Sequence, residues 1–222
     1  IEGVRFDSGH ERIVAALATG RRVQSVTPNG KRTTKRIGTA LSYRFVRDDK
    51  GWRVFVSVEA APVPQVTHRA LGAIGVDVNA DHLAVAETDR FGNLVAVRRI
   101  DLNTYGKRRN QAKAMIESAA IALVTQAQAA GKPIVIEALD FQKKKAELET
   151  TDARQSRLIS SFAYRKVLSS IKAAAFRRGV EVIEVNPAYT SVIGAVNFAQ
   201  RRGISVHQGA AFAIARRGLG LS

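Results

Sequence analysis

The chain has 222 residues, 35 of them Lys or Arg against 19 Asp or Glu, for a formal net charge of +16, and it contains no cysteine. The length allows one large domain or two small ones with a real core, and an apolar content of 45% excludes a disordered chain. The lack of cysteine excludes disulfides, thiol catalysis, Cys-held zinc and iron–sulfur clusters, and no apolar run is long enough to span a bilayer.

A cationic excess of this size points to a polyanionic partner, nucleic acid first and an anionic membrane surface second. The cysteine-free composition fits a reducing, intracellular setting. The opening "IEGVRF" carries neither an initiator Met nor a signal-peptide pattern. That predicts a processed chain or part of a longer one.

In chain order, residues 1–66 read as all-β. "RRVQSVTPNGKRTTKRIG" places a turn at Asn29-Gly30 between two short strands. "ALSYRFVRDDKGWRVFVSVEAAP" reads as a hairpin, with Tyr43, Phe45 and Val46 on one arm, Trp52, Val54, Phe55 and Val56 on the other, and "DDKG" as its turn. Pro62 and Pro64 mark a linker, so a domain boundary is expected between residues 61 and 70. From residue 67 to 222 the pattern changes. "AIGVDVNADHLAVAETD" reads as strand, turn, strand, and "NLVAVRRIDL" as a third strand. A long helix follows over "RRNQAKAMIESAAIALVTQAQAAG", closed by Gly131. Then come the strand "KPIVIEAL", the polar loop "DFQKKKAELETTDARQ", a second long helix ended by Gly179, the strand "VEVIEVNP" and a closing helix from about Val206. Three adjacent strands followed by alternating helices and strands predict a mixed α/β sheet with flanking helices.

Two acids fall where they are costly. Asp77 ends the apolar run "AIGVD", and Glu137 sits inside the apolar strand "IVIEAL". A carboxylate in such a strand must be paired or must bind a metal. If the two strands are neighbours, both carboxylates converge on one spot. Such a spot can hold Mg²⁺ for phosphoryl transfer, where the metal activates a water and stabilises the leaving oxygen. The plainer alternative is a turn-capping Asp and a salt-bridged Glu. Asp81 and His82 read as a turn and its flank, with Asp81 a secondary candidate, and Asp140 joins the site only if its loop folds back.

The basic residues cluster at Lys107, Arg108 and Arg109, at Lys143, Lys144 and Lys145, at Arg177 and Arg178, at Arg201 and Arg202, and at Arg216 and Arg217. Each cluster suits phosphate contacts, which give affinity without sequence reading, or is a solvated helix face. The "KKK" run follows Glu137 closely and so flanks the site as a guide or gate for a strand. Tyr189 is a candidate for stacking on bases; Phe162 is another, better suited to the core.

"GVDVNADHLAV", "PIVIEALDF", "VEVIEVNPAYTS" and "HQGAAFAIARRG", in this order, resemble the RuvC-like nuclease core of the TnpB (OrfB) proteins of insertion sequences, relatives of the type V CRISPR effector nucleases. The upstream "GTALSYRFVRDDKGWRVFVSVEA" resembles the end of the wedge β-domain that precedes that core. The match runs from about residue 40 to the end; "NPAYTS" beside the two acidic strands is its most specific part. The resemblance implies an RNase H-like fold behind a partial β-barrel, a guide RNA bound with target DNA, and cleavage of that DNA with Mg²⁺ or Mn²⁺. It implies a prokaryotic, cytoplasmic, nucleoid-associated protein, without a membrane partner, of which this chain is the C-terminal part. Asn186 and Thr190 of "NPAYTS" then support a ligand or a phosphate, as does Ser191, although turn capping accounts for them equally.

Two departures stand out. Where the family carries a Cys-rich zinc ribbon after "NPAYTS", this chain has "VIGAVNFAQRRGI", so no zinc is expected. Where the family has its third acidic ligand, before an Ala-Ala helix, this chain has His207, and Glu184 is the last acid in the sequence. The resemblance thus makes Asp77, Glu137 and His207 the catalytic and metal-holding set. His207 remains open to three readings: a ligand or general base, the remnant of a lost acidic ligand, or ordinary packing. Imidazole favours Mn²⁺ over Mg²⁺ as a third donor and titrates near neutrality as a base. The functions that follow are a nuclease, a nuclease-dead guide-dependent DNA-binding protein, and a transposition accessory factor acting through protein contacts.

Overall fold

The computed structural model describes residues 3–7, 9–49, 51–59, 63–138 and 161–221. The chain divides into two compact units, Ile1–Pro62 and Val63–Ser222.

The first unit opens with helix α1 (His10–Ala18), followed by strands β1 (Arg21–Val26), β2 (Arg32–Ile37), β3 (Leu41–Asp48) and β4 (Gly51–Val58). The helix corrects the all-β expectation. Ile13 and Ala16, three residues apart, lie on its one buried side, a helical spacing too short in extent to stand out in the sequence. The strands pair as two antiparallel ribbons, β1 with β2 and β3 with β4. Among the described residues β2 and β3 do not pair, so the two ribbons form no continuous ladder and no closed barrel. In the second ribbon Tyr43, Phe45, Trp52 and Val54 share one face by register and are all exposed.

The second unit holds a five-stranded sheet in the order β7-β6-β5-β8-β9. Its strands are β5 (Ile74–Val78), β6 (His82–Thr88), β7 (Leu94–Asp101), β8 (Ile134–Glu137) and β9 (Val182–Val185). The first three form an antiparallel meander, and β8 and β9 add in parallel. Helix α2 (Arg109–Ala130) lies between β7 and β8, and α3 (Ser161–Arg177) precedes β9. Gly131, at φ 65°, ends α2 in the left-handed conformation expected of it.

Strand alternation sorts the residues onto two faces. Ile74, Val76, Leu83, Val85, Ile134 and Ile136 meet α2 and α3 in the main core. Gly75, Ala84, Ala86 and Val135 point to the other face, which the last helix covers. That helix, α5 (Val206–Gly218), is reached through α4, which consists of Thr190–Ile193, a π-helical stretch Gly194–Ala199 and Gln200–Arg202. Val192 to Arg202 of "VIGAVNFAQRRGI" are therefore helical. Ser205 caps α5 and accepts from the Gln208 nitrogen at 3.2 Å, while the Gln208 side chain accepts from the Ser205 nitrogen at 3.0 Å. This box fixes the first turn, which carries His207.

Helix α5 approaches the sheet closely because small residues face each other. A Cβ on Gly75 would sit 2.5 Å from the Ala215 nitrogen and would also overlap the Ala211 carbonyl. Likewise Gly194 of α4 lies against the Gly209–Ala210 backbone of α5. The Ala-rich run of α5 is buried from Ala210 to Ala215, with Phe212 wholly covered; burying a side chain of that size contributes about 2–3 kcal/mol.

Candidate active site

The site forms where the central parallel strands end. β5 and β8 pair Ile74 with Ile134 and Gly75 with Val135. Asp77 and Glu137 each follow this paired stretch by two residues, at the strand ends and on the face covered by α5. On the helix, His207 precedes Ala211 by one turn. Ala211 stands over Gly75, so His207 falls over Asp77.

The contacts agree with this placement. His207 Nδ1 lies 3.1 Å from Asp77 Oδ2, the imidazole 52% and the carboxyl 13% exposed. A carboxylate only accepts, so Nδ1 carries the proton, and in the neutral ring the lone pair is on Nε2. Asn79 donates from Nδ2 to the same Asp77 oxygen at 3.0 Å. Glu137 accepts from the Thr190 hydroxyl at 2.5 Å, and Thr190 is 1% exposed. Tyr164, buried near the start of α3, feels both acids. Burial first, then the charges of Glu137 and Asp77, push its phenol up and keep it protonated at neutral pH.

Behind Asp77 runs a further polar chain. His82, buried at the start of β6, donates from Nδ1 to Asp81 at 2.7 Å, and its ring meets His207 edge-on at 5.2 Å between centroids. Asp81 also accepts from Arg99 at 2.6 Å. These two donors, His82 first, pull the Asp81 carboxyl down to about 2. Asp81 is thus paired away from Asp77.

Other expected residues fall into three groups. Lys107, Arg108 and Arg109 before and at the start of α2, Arg177 at the end of α3, and Arg201 and Arg202 at the end of α4 are exposed. Arg178 donates to the Thr125 hydroxyl at 2.5 Å. Arg216 donates to the Gly92 carbonyl at 2.8 Å and lies over the Phe198 and Phe212 rings, and Arg217 is bonded to the Asn186 and Ala188 carbonyls. Asn186 accepts from the Ala188 nitrogen at 2.9 Å and so shapes the "NPAYTS" turn itself. Asp140, Lys143, Lys144, Lys145 and the side chain of Phe162 lie outside the described residues.

The sequence reading passed over Asn79, His82 as a partner of His207, and Tyr164. Asn79 carried a signal, since it lies two residues past Asp77. Tyr164 carried none, because its proximity to both acids arises from helix packing.

Among the described residues no three His, Cys, Asp or Glu side chains stand together closely enough to hold a metal ion as they lie. The donor chemistry still fits one. Two hard carboxylates and an imidazole suit a divalent cation that keeps part of its water shell and takes substrate phosphate as a ligand.

A five-stranded mixed sheet in 3-2-1-4-5 order, helices on both faces, and acids at the ends of its central strands define an RNase H-like, RuvC-like fold. No protein-family model and no curated protein matches the chain. Among solved structures it is similar to RuvC of Thermus thermophilus in complex with a Holliday junction substrate, at 14% identity and a TM-score of 0.46, over 65% of this chain and 90% of that one. It is also similar to a Cas12f1–sgRNA–target DNA complex, at 15% identity and a TM-score of 0.45, over 88% of this chain and 65% of that one. A CRISPR-Cas12f ternary complex is similar at 14% identity and a TM-score of 0.42, over 96% of this chain and 49% of that one. The fold class rests on strand order and register and not on these scores. Among the described residues no helix is long and apolar enough to cross a membrane.

Proposed function

We propose that the chain carries the catalytic core of a metal-dependent DNA endonuclease of the TnpB-like, RNA-guided type. The observation that supports this most directly is that Asp77 and Glu137 both follow the paired residues Gly75 and Val135 of the central parallel strands by two positions, on the face covered by α5. Packing alone gives no reason for two acids at the ends of neighbouring apolar strands on one face; holding a cation against a phosphate does. Asp77 and Glu137 would hold the ion; His207 would join them as a third donor by exchanging its Nδ1 bond to Asp77 for the ion. The ion supplies charge stabilisation on the phosphate and an activated water. The residues of the chain orient the carboxylates: Asn79 and His207 fix Asp77, and Thr190 fixes Glu137. The charge of +16 and the exposed Lys107–Arg109 and Arg201–Arg202 clusters supply affinity for the phosphate backbone. DNA and a guide RNA are the proposed partners and Mn²⁺ or Mg²⁺ the proposed cofactor.

His207 in the third position favours a second reading, a DNA-binding protein that no longer cuts. One pair of measurements separates them. Calorimetry with Mn²⁺ and Mg²⁺ on wild type, Asp77→Ala and His207→Ala is run beside cleavage of a labelled single-stranded DNA. The nuclease reading expects Mn²⁺ binding that both substitutions abolish, and cleavage that follows it. Retained DNA binding with no metal uptake at millimolar concentration and no cleavage establishes the second reading.

A further inference from the structure

Tyr189 stands out from the rest of the chain. Among the described residues it is the one non-glycine residue with positive φ, at 63°. An aromatic residue in the left-handed region is strained, and that conformation persists only where the surroundings impose it. Here they do. Arg217 reaches across from α5 to bond the carbonyls of Asn186 and Ala188, and the Asn186 side chain accepts from the Ala188 nitrogen. The next residue, Thr190, is buried and bonded to Glu137. The strain brings no packing in return, for the Tyr189 ring is 75% exposed.

The ring does not stand alone. Val192 and Val196 follow it at three- and four-residue spacing along α4 and are 58% and 69% exposed. Arg201 and Arg202, also exposed, end the same rod, the Arg202 guanidinium lying over the Phe212 ring at 5.1 Å from its centre. From Val185 to the end of the chain there is no Asp or Glu. An aromatic post and an apolar strip on an acid-free, arginine-ended surface suit one ligand chemistry: free base faces on a phosphate backbone. A duplex hides those faces. A folded protein partner would gain nothing from the arginines unless it were acidic.

We infer that Tyr189, Val192 and Val196, with Arg201 and Arg202, form a seat for single-stranded nucleic acid that leads into the Glu137–Asp77 site. Tyr189 stacks on a base next to the scissile phosphate, and the strained turn holds its ring outward for that purpose. This rests on the nuclease reading and names the form of its substrate.

The test pairs affinity with stability. Tyr189→Asn removes the ring and puts in a residue that tolerates positive φ. It is expected to raise the melting temperature while weakening binding of a fluorescent oligothymidylate between about five- and a hundredfold, the range for losing one stacked base. Tyr189→Phe keeps the affinity within about twofold, and Val192→Ser/Val196→Ser lowers it further. Binding of a duplex of equal length is unaffected by all three. Unchanged oligothymidylate affinity in Tyr189→Asn, with wild type binding normally, overturns the seat and leaves the nuclease reading standing. Altered self-association by light scattering, with DNA binding unchanged, overturns it in favour of a protein contact. Failure of wild type to bind either nucleic acid removes both readings together.

Discussion

His207 Nδ1 and Asp77 Oδ2 lie 3.1 Å apart, across 130 residues of sequence. Neither residue makes the pairing alone. It depends on α5 crossing β5 at Gly75, on the Ser205–Gln208 box that starts the helix, and on Asn79 holding the carboxylate from below. The bond also sets the tautomer: with Nδ1 donating, the neutral ring keeps its lone pair on Nε2, on the side away from Asp77. Replacing this imidazole with a carboxylate is expected to favour a hard ion. His207→Asp should bind Mg²⁺ about tenfold more tightly than wild type, roughly 1.4 kcal/mol, and should lose any preference for Mn²⁺. Calorimetric titration with both ions decides it. Identical affinities in the two proteins would show that position 207 does not reach the ion.

The short bond from Thr190 to Glu137 makes a second, separate prediction. Thr190→Val keeps the shape of a buried side chain but deletes its only donor. Glu137 loses a partner inside the fold, at a cost of about 1–3 kcal/mol, and its carboxylate is no longer oriented. Thr190→Ser keeps the hydroxyl. In urea unfolding the Val variant should lose that stability and the Ser variant much less. Cleavage should fall with the Val variant by more than the small loss seen with Ser. Equal behaviour of the two would mean that the hydroxyl has no part in placing Glu137.

Much of this arrangement was legible in the sequence because it depends on period and punctuation. The meander, both long helices and the closing helix announced themselves through apolar spacing, and Gly131 marked an end that the structure keeps. Asp77 and Glu137 were visible because a charge in an apolar strand is conspicuous. What stayed hidden depends on packing. The nine-residue α1 carries too few buried positions to show a period. The π-helical stretch of α4 begins at Gly194, which lies against the α5 backbone, a long-range contact with no local trace in the sequence. Arg216 and Arg217 look like a phosphate cluster in sequence, yet their bonds run to Gly92, Asn186 and Ala188. A basic pair at the end of a helix reads the same whether it faces solvent or pins a loop.

Gly75 tests the packing beneath the site. Its Cα sits against the α5 backbone, where a methyl would stand 2.8 Å from the Ala215 methyl and nearer still to the Ala211 carbonyl. Backbone cannot give way as the end of a side chain can. Gly75→Ala should therefore destabilise the second unit by about 3 kcal/mol, the upper range of overpacking. It should also move His207 off Asp77. Chemical denaturation measures the first effect. The second can be read from ¹⁵N chemical shifts of the His207 ring, which respond to loss of the Nδ1 hydrogen bond. A fully stable Gly75→Ala protein would mean that α5 sits farther from the sheet.

The Asp81 carboxyl gives the pH dependence its sign. Its folded value, about 2, lies below the ordinary aspartate value of 3.8, with the His82 bond the larger cause and Arg99 the next. A lowered acid contributes stability that is fully present above its unfolded value and disappears as pH falls through the folded one. The window is thus from about pH 4 down to about pH 2. Asp81→Asn should be less stable than wild type at neutral pH, and the gap should close across that window. The size is modest, below about 1 kcal/mol, because Asp81 and Arg99 are both more than a third exposed and solvent screens the pair. The substitution has a second consequence that salt and exposure do not reduce. Asparagine can present its amide nitrogen to His82 Nδ1, which no longer has an obligate acceptor, so the buried ring is free to change tautomer. Its edge contact with His207 then loosens. Melting curves from pH 7 to pH 2 check the stability claim, and ring ¹⁵N shifts of His82 at pH 7 check the tautomer. A stability gap that stays constant down to pH 2 would show that the Asp81 charge is not what the fold uses.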